Sequence, residues 1–226
     1  MNKVEDLIKK SLKELRKVYK GETDRKSKLL FPNYRKGNYI RISEQEPRFL
    51  LVREIENQRD FYYSVETPTR EAYAKFNTKK PIKGKGRSGN IDLTLYRKED
   101  STFALKHLIE FKNTPSASCK KDFLKLLYDE NKLKNYYINI IENCDAGTIK
   151  KLKEKYKSSL KDLKAEIEEP SSSDLTIIVY VLGNIGKNAI EKHKKMGIDE
   201  NQVLIKYRVN WDLDQENEDY PLELCK

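Results

Sequence analysis

The sequence predicts an α/β domain, a mixed β-sheet flanked by helices. Three observations carry this. Apolar residues recur at helical spacing over 3–20 and again in the segment that follows Ser43. Three strand patterns succeed one another between Phe61 and Lys112, as in an antiparallel meander. Beyond Ser118, helical and strand patterns alternate, which suggests parallel crossovers.

Each element has its own signal. Val4, Leu7, Ile8, Leu12, Leu15, Val18 and Tyr19 form one face of an amphipathic helix, and Gly21 is its stop. Residues 22–42 are basic and contain Pro32 and Gly37, so they read as an irregular connection. Ser43 as cap, Glu44 and Glu46 in the first turn and an early Pro47 start a second helix. Phe61 to Thr67 is aromatic and β-branched, a strand ending near Pro68. Residues 77–89 hold three glycines and Pro81 and read as a loop. Ile91 to Tyr96 alternates, Lys98 to Thr102 turns, and Ala104 to Lys112 is again a strand. A helix follows Ser118. A buried strand runs from Tyr136 to Ile141, and a long helix capped by Asp145 ends before Pro170. Leu175 to Leu182 is a continuous apolar strand. Residues 187–196 read as a short basic helix, and Val203 to Trp211 as the last strand. The chain thus divides into a basic N-terminal helix and connection (1–42), the α/β domain (43–211) and an acidic tail (212–226).

Composition narrows the function. No apolar run reaches bilayer length, and the N-terminal helix lacks the apolar stretch of a signal peptide, so a cytoplasmic protein without a membrane partner is expected. Three scattered cysteines without a C-x-x-C pair argue against structural zinc and a disulfide framework. Two histidines exclude chemistry built on several His ligands, and His107 reads as structural. Strand aromatics such as Tyr62, Tyr63, Tyr136, Tyr137 and Trp211 read as packing residues rather than base-stacking ones. With 46 Lys and Arg against 36 Asp and Glu, the net charge is +10. The excess is local: +8 over residues 1–42, +7 over 75–98, and −5 over 211–226. Such patches suit phosphate-bearing partners, although a solvated Lys-rich surface gives the same count.

Gly84, Gly86 and Gly89 spell G-x-G-x-x-G, but they precede a strand instead of opening a helix, so the dinucleotide reading is rejected. Lys83, Lys85 and Arg87 stand among these glycines and could approach phosphates, as could any flexible basic turn. The second constellation is acidic. Asp92 opens one strand, and Glu110 and Lys112 share a face of the next. Paired antiparallel, the strands bring the three side chains together. Two carboxylates so placed repel unless a divalent cation lies between them, and a neighbouring Lys can orient water or stabilise developing charge. The competing interpretation is an exposed cross-strand salt bridge.

The run Arg87-Ser-Gly-Asn-Ile-Asp92-Leu-Thr-Leu-Tyr96 followed by Leu108-Ile-Glu110-Phe-Lys112 resembles the restriction-endonuclease-like PD-(D/E)XK nucleases. The order helix, three-stranded meander, helix, strand over 43–142 matches that core, and Lys121 to Leu127 is similar to the helix after the Glu-x-Lys strand. Ile91 replaces the motif's Pro. The resemblance implies a restriction-endonuclease-like core and a nuclease, in particular an endonuclease, that uses Mg²⁺ or Mn²⁺ and acts on nucleic acid, DNA foremost. It implies that Asp92, Glu110 and the Phe111 carbonyl ligate the metal and that Lys112 serves the attacking water. It also implies an acid from the first core helix: Glu46 is the choice, with Glu44 and Glu66 as rivals. Lys83, Lys85 and Arg87 would hold phosphates. A homodimer would suit paired cuts on two strands. The alternative is a nucleic-acid-binding or interaction module that keeps the fold without cleaving.

Overall fold

The computed structural model describes residues 3–31, 33–34, 39–74, 82–83, 86–113, 119–128, 133–166, 174–186, 204–210 and 222–225. Helix α1 (Lys3–Lys20) is followed by a two-stranded ribbon, β1 (Asn33–Tyr34) and β2 (Tyr39–Ile40), and by α2 (Gln45–Glu56). Then come β3 (Tyr62–Ala74), β4 (Ile82–Lys83), β5 (Arg87–Glu99), β6 (Thr102–Lys112), α3 (Lys120–Tyr128), β7 (Lys134–Ile141), α4 (Ala146–Glu166), β8 (Asp174–Val181), β9 (Leu204–Val209) and β10 (Leu222–Leu224). Among the described residues the main sheet has eight strands in the order β10-β9-β8-β7-β6-β5-β3-β4. β6, β7 and β8 run parallel; the other pairs are antiparallel. The sheet is therefore mixed; the meander and the parallel crossovers β6–α3–β7 and β7–α4–β8 fall where the sequence puts them, whereas β9, expected to follow a further parallel crossover, runs antiparallel to β8.

The helices divide between the two faces. Glu5 of α1 pairs with Lys134 (2.8 Å) and Lys206 (3.0 Å), which marks one face of β7 and β9. On the other face, Phe123 of α3 and Tyr156 of α4 pack edge-on against Tyr137, with ring centroids 5.0 and 6.0 Å away. Helix α1 belongs to the common core. Val4, Leu7, Ile8, Leu12 and Leu15 are buried with Leu51 and Ile55 of α2, each such side chain contributing about 1.5–3 kcal/mol of gross burial energy. The N-terminal helix is thus a structural member of the domain as well as a source of surface charge. Gly21 ends it in the left-handed region (φ 68°). Its N–H donates to the Val18 carbonyl and that of Glu22 to Lys17, the paired closure of a helix C-terminus.

Several boundaries differ from the sequence reading. β3 continues past Pro68 to Ala74. It does so through a register shift between Pro68 and Ala72, where the Thr69 hydroxyl accepts the Gly89 N–H (2.9 Å) in place of a backbone carbonyl. The acidic tail supplies β10, which pairs with β9 at the sheet edge. Part of the loop expected over 77–89 is strand, since β4 and the start of β5 lie within it. The expected helix at 187–196 and Trp211 lie outside the described residues. Cys119, Cys144 and Cys225 are free thiols. Among the described residues no helix is long and apolar enough to cross a membrane.

Candidate active site

The site forms where β5 and β6 part. Their ladder ends at the pair Leu93–Ile109, and just beyond it the Asp92 and Glu110 carboxyls come close enough to repel each other. There the Asp92 carboxylate takes over from the strand backbone: Oδ2 accepts the Phe111 N–H at 2.7 Å. β6 runs on beside β7, pairing Glu110 with Tyr137 and Lys112 with Asn139. Glu110 and Lys112 thereby share the face covered by α3. Helix α3 is tied to that face by Asn135, which is fully buried. Its Oδ1 accepts the Leu108 N–H (2.9 Å), and its Nδ2 donates to the Leu126 carbonyl (2.5 Å).

Helix α3 contributes two charged groups that the spacing argument did not single out. Lys125 donates to Glu110 Oε1 and to the Asn90 carbonyl (2.9 Å), and its ammonium forms an ion pair with Asp122 Oδ1 at 3.3 Å. Glu110 and Lys125 are only 3% and 4% exposed. On the open side, Lys112 Nζ meets Glu44 Oε1 at 3.2 Å. Glu44 gets there because the chain entering α2 crosses the end of β6, where Asn113 Nδ2 donates to the Ile42 carbonyl (2.6 Å).

Of Glu44, Glu46 and the strand residue Glu66, Glu44 pairs with Lys112 among the described residues. Glu46 turns back to cap α2: its Oε2 accepts from the Ser43 N–H (2.8 Å) and the Ser43 hydroxyl (2.5 Å). Glu66 holds a positive φ of 50° and is ion-paired to Arg48. Arg48 in turn donates to the Asp92 carbonyl at 3.4 Å, so Glu66 supports the site from behind. Arg87 is exposed at the start of β5, and Lys83 lies in β4 with its side chain outside the described set. Lys85 lies outside the described residues. His107 is structural, as its sequence context suggests. It packs between Phe61 and Tyr136, and its Nδ1–H donates to the Lys134 carbonyl (2.7 Å). Tyr136 and Tyr137 are core residues, whereas Tyr62 is half-exposed and stacks edge-on against Phe103.

The electrostatics follow from burial and crowding. Burial pushes the Asp92 carboxyl upward, outweighing the Phe111 N–H and the Lys125 ammonium that pull it down. Burial also pushes Glu110 well above the usual carboxylate range; Lys125 opposes this, while Asp92 and Asp122 reinforce it. For Lys112, burial alone would lower the ammonium, but Asp122, Glu44 and Asp92 together overcome it and raise it. Lys125 behaves likewise, with Glu110 and Asp122 overcoming its burial. Four carboxylates (Glu44, Asp92, Glu110, Asp122) face two ammonium groups (Lys112, Lys125), which leaves two negative charges when all are ionised.

A divalent cation would cancel that excess. Among the described residues no three His, Cys, Asp or Glu are gathered as a metal cage. Mg²⁺ does not require one. It is usually held by one or two carboxylates, with waters and substrate phosphate completing the shell. The named hydrogen bonds use one oxygen each of Asp92 and Glu110, so these two fit such a site. Compared with family models, curated proteins and solved structures, the chain finds no match.

Proposed function

We propose that this protein is a divalent-metal-dependent nuclease on a restriction-endonuclease-like core, hydrolysing phosphodiester bonds of nucleic acid, with DNA as the first substrate to test. One observation carries the reading. Asp92 and Glu110 lie together where two strands part, Lys112 lies two residues beyond Glu110 on the same face, and four carboxyl groups stand against two ammonium groups in the cluster.

Asp92 and Glu110 would hold Mg²⁺. When bound, the ion supplies Lewis-acid polarisation of the phosphoryl group and makes water a stronger acid. The chain's own residues do the rest. Phe111 N–H fixes the Asp92 carboxylate, so its orientation is set before substrate arrives. Lys112 keeps its proton at Nζ, held there by the surrounding acids, and can orient the attacking water or face the charge that grows on the phosphoryl oxygens. Glu44 holds that ammonium in place. Arg87, exposed at the near end of β5, would steer phosphates, and binding should fall steeply with salt.

A second reading has its own support. Lys125 already gives Glu110 a counter-ion, as a module that binds nucleic acid without cutting it would need. The test incubates supercoiled plasmid and labelled single strands with Mg²⁺, Mn²⁺ or EDTA, beside Glu110→Ala. Metal-dependent cutting that the variant loses supports the nuclease. Salt-sensitive binding indifferent to metal, without cutting, supports the module instead.

A further inference from the structure

An ammonium group has three N–H donors and no acceptor. Lys125 directs its ammonium at three acceptors on three elements: Glu110 Oε1 on β6, the Asn90 carbonyl on β5 and Asp122 Oδ1 on its own helix. Two of its donors are spent in hydrogen bonds, Asp122 stands beside it as an ion-pair partner, and at 4% exposure the ammonium is closed off from solvent. Lys112 differs, since among the described residues its ion-pair partner is Glu44 alone and its side chain is 22% exposed. The two lysines therefore have different tasks, although both stand beside the same carboxylates. Asn90 is two residues before Asp92, so Lys125 also grips the strand that carries the other acid.

We propose that Lys125 is the resident counter-ion of this site: it holds Glu110 in the absence of metal and sets the affinity for a divalent cation by competing for that carboxylate. The inference rests on the nuclease reading of Asp92 and Glu110. A cation entering beside Glu110 meets the Lys125 charge in a poorly screened interior, where like charges repel strongly. It must also share a carboxylate whose Oε1 is already bonded to Lys125. The protein alone therefore binds the cation weakly. A phosphodiester brings further negative charge, so the ion is held firmly only once substrate is in place. Lys125 is thus a positioning residue that links metal loading to substrate.

The test uses the full chain and Mn²⁺ alone, with free Mn²⁺ read by electron paramagnetic resonance. Wild type, Lys125→Gln, Lys125→Arg and Asp92→Ala are titrated without nucleic acid. The expected result is weak binding by wild type and about tenfold tighter binding by Lys125→Gln. Lys125→Arg stays close to wild type because the charge is kept, and Asp92→Ala loses the site. Binding that needs Asp92 but is unchanged or weaker in Lys125→Gln overturns the counter-ion role and leaves the nuclease reading standing. Absence of Asp92-dependent binding in both wild type and Lys125→Gln overturns both. If Lys125→Gln is unfolded without metal, circular dichroism replaces resonance. Refolding driven by Mn²⁺ and abolished by adding Asp92→Ala then supports the proposal, and failure to refold overturns it.

Discussion

Replacing Asn135 by Ala removes both hydrogen bonds that hold α3 to the edge of β6. The Leu108 N–H lies just beyond the β6–β7 ladder, which begins at Ile109. The Leu126 carbonyl belongs to the last turn of α3, where no intrahelical donor remains. Both groups are buried beside Asn135, which has 0% exposure, and Ala reaches neither. Leaving a buried polar group unpaired costs about 1–3 kcal/mol, so the two together should cost about 3 kcal/mol or more. In a domain of this size that lowers Tm by about 6–12 °C. Calorimetry and urea unfolding read the loss, and hydrogen exchange reads Leu108 directly, whose amide should lose protection in the variant. A destabilisation below about 1 kcal/mol would refute the reasoning, because it would mean that other groups or water satisfy both partners.

Further predictions concern the site's flanks and the core. Glu44→Gln should slow metal-dependent cleavage by loosening Lys112, whereas Glu46→Ala should lower stability by about 1 kcal/mol through its lost cap and leave cleavage near wild type; equal effects on cleavage would contradict the assignment. Burial pushes His107 below its ordinary value of 6.5, with the Lys134 carbonyl opposing this. The unfolded chain therefore takes up its proton first, so this stability is complete above that value and is lost as pH falls below it. Comparing Tm at about pH 8 and about pH 5.5, His107→Phe should flatten the decline, and an unchanged slope would exclude His107 as its source. Gly183→Ala would set a Cβ 2.5 Å from Asn143 Oδ1 and 2.8 Å from the Glu142 carbonyl. Its cost should be about 1–3 kcal/mol by calorimetry, and a neutral result would show that the β7 and β8 ends can move apart.

Period-two patterning made the sheet legible, because alternation over Ile91–Tyr96 and Ala104–Lys112 also dictates which side chains share a face. The same alternation places Asp92 and Glu110 near each other on adjacent strands. Local capping chemistry was legible too: Gly21 closes α1, and Asp145 Oδ1 accepts the Thr148 N–H at the start of α4 (2.6 Å). Long-range partners were not. A Lys within an amphipathic helix reads as solvent-facing, and Lys125 is buried only because strand order places Glu110 and Asn90 beneath it. Glu44 and Glu46 both belong to a helix start, and nothing local says which caps and which reaches Lys112. β3 passes Pro68 because a side-chain hydroxyl and a register shift replace regular pairing, an event without a propensity signature. The tail's acidic charge hid the apolar Leu222, which is fully buried at the sheet edge.

The central claim is that Asp92 and Glu110 together hold a divalent cation for phosphodiester hydrolysis. Anomalous diffraction from crystals soaked in Mn²⁺ with a nucleoside monophosphate tests it most directly. The account predicts a single strong peak between the Asp92 and Glu110 carboxylates, adjoining the phosphate. A peak elsewhere, or none between these carboxylates at saturating Mn²⁺, would contradict it.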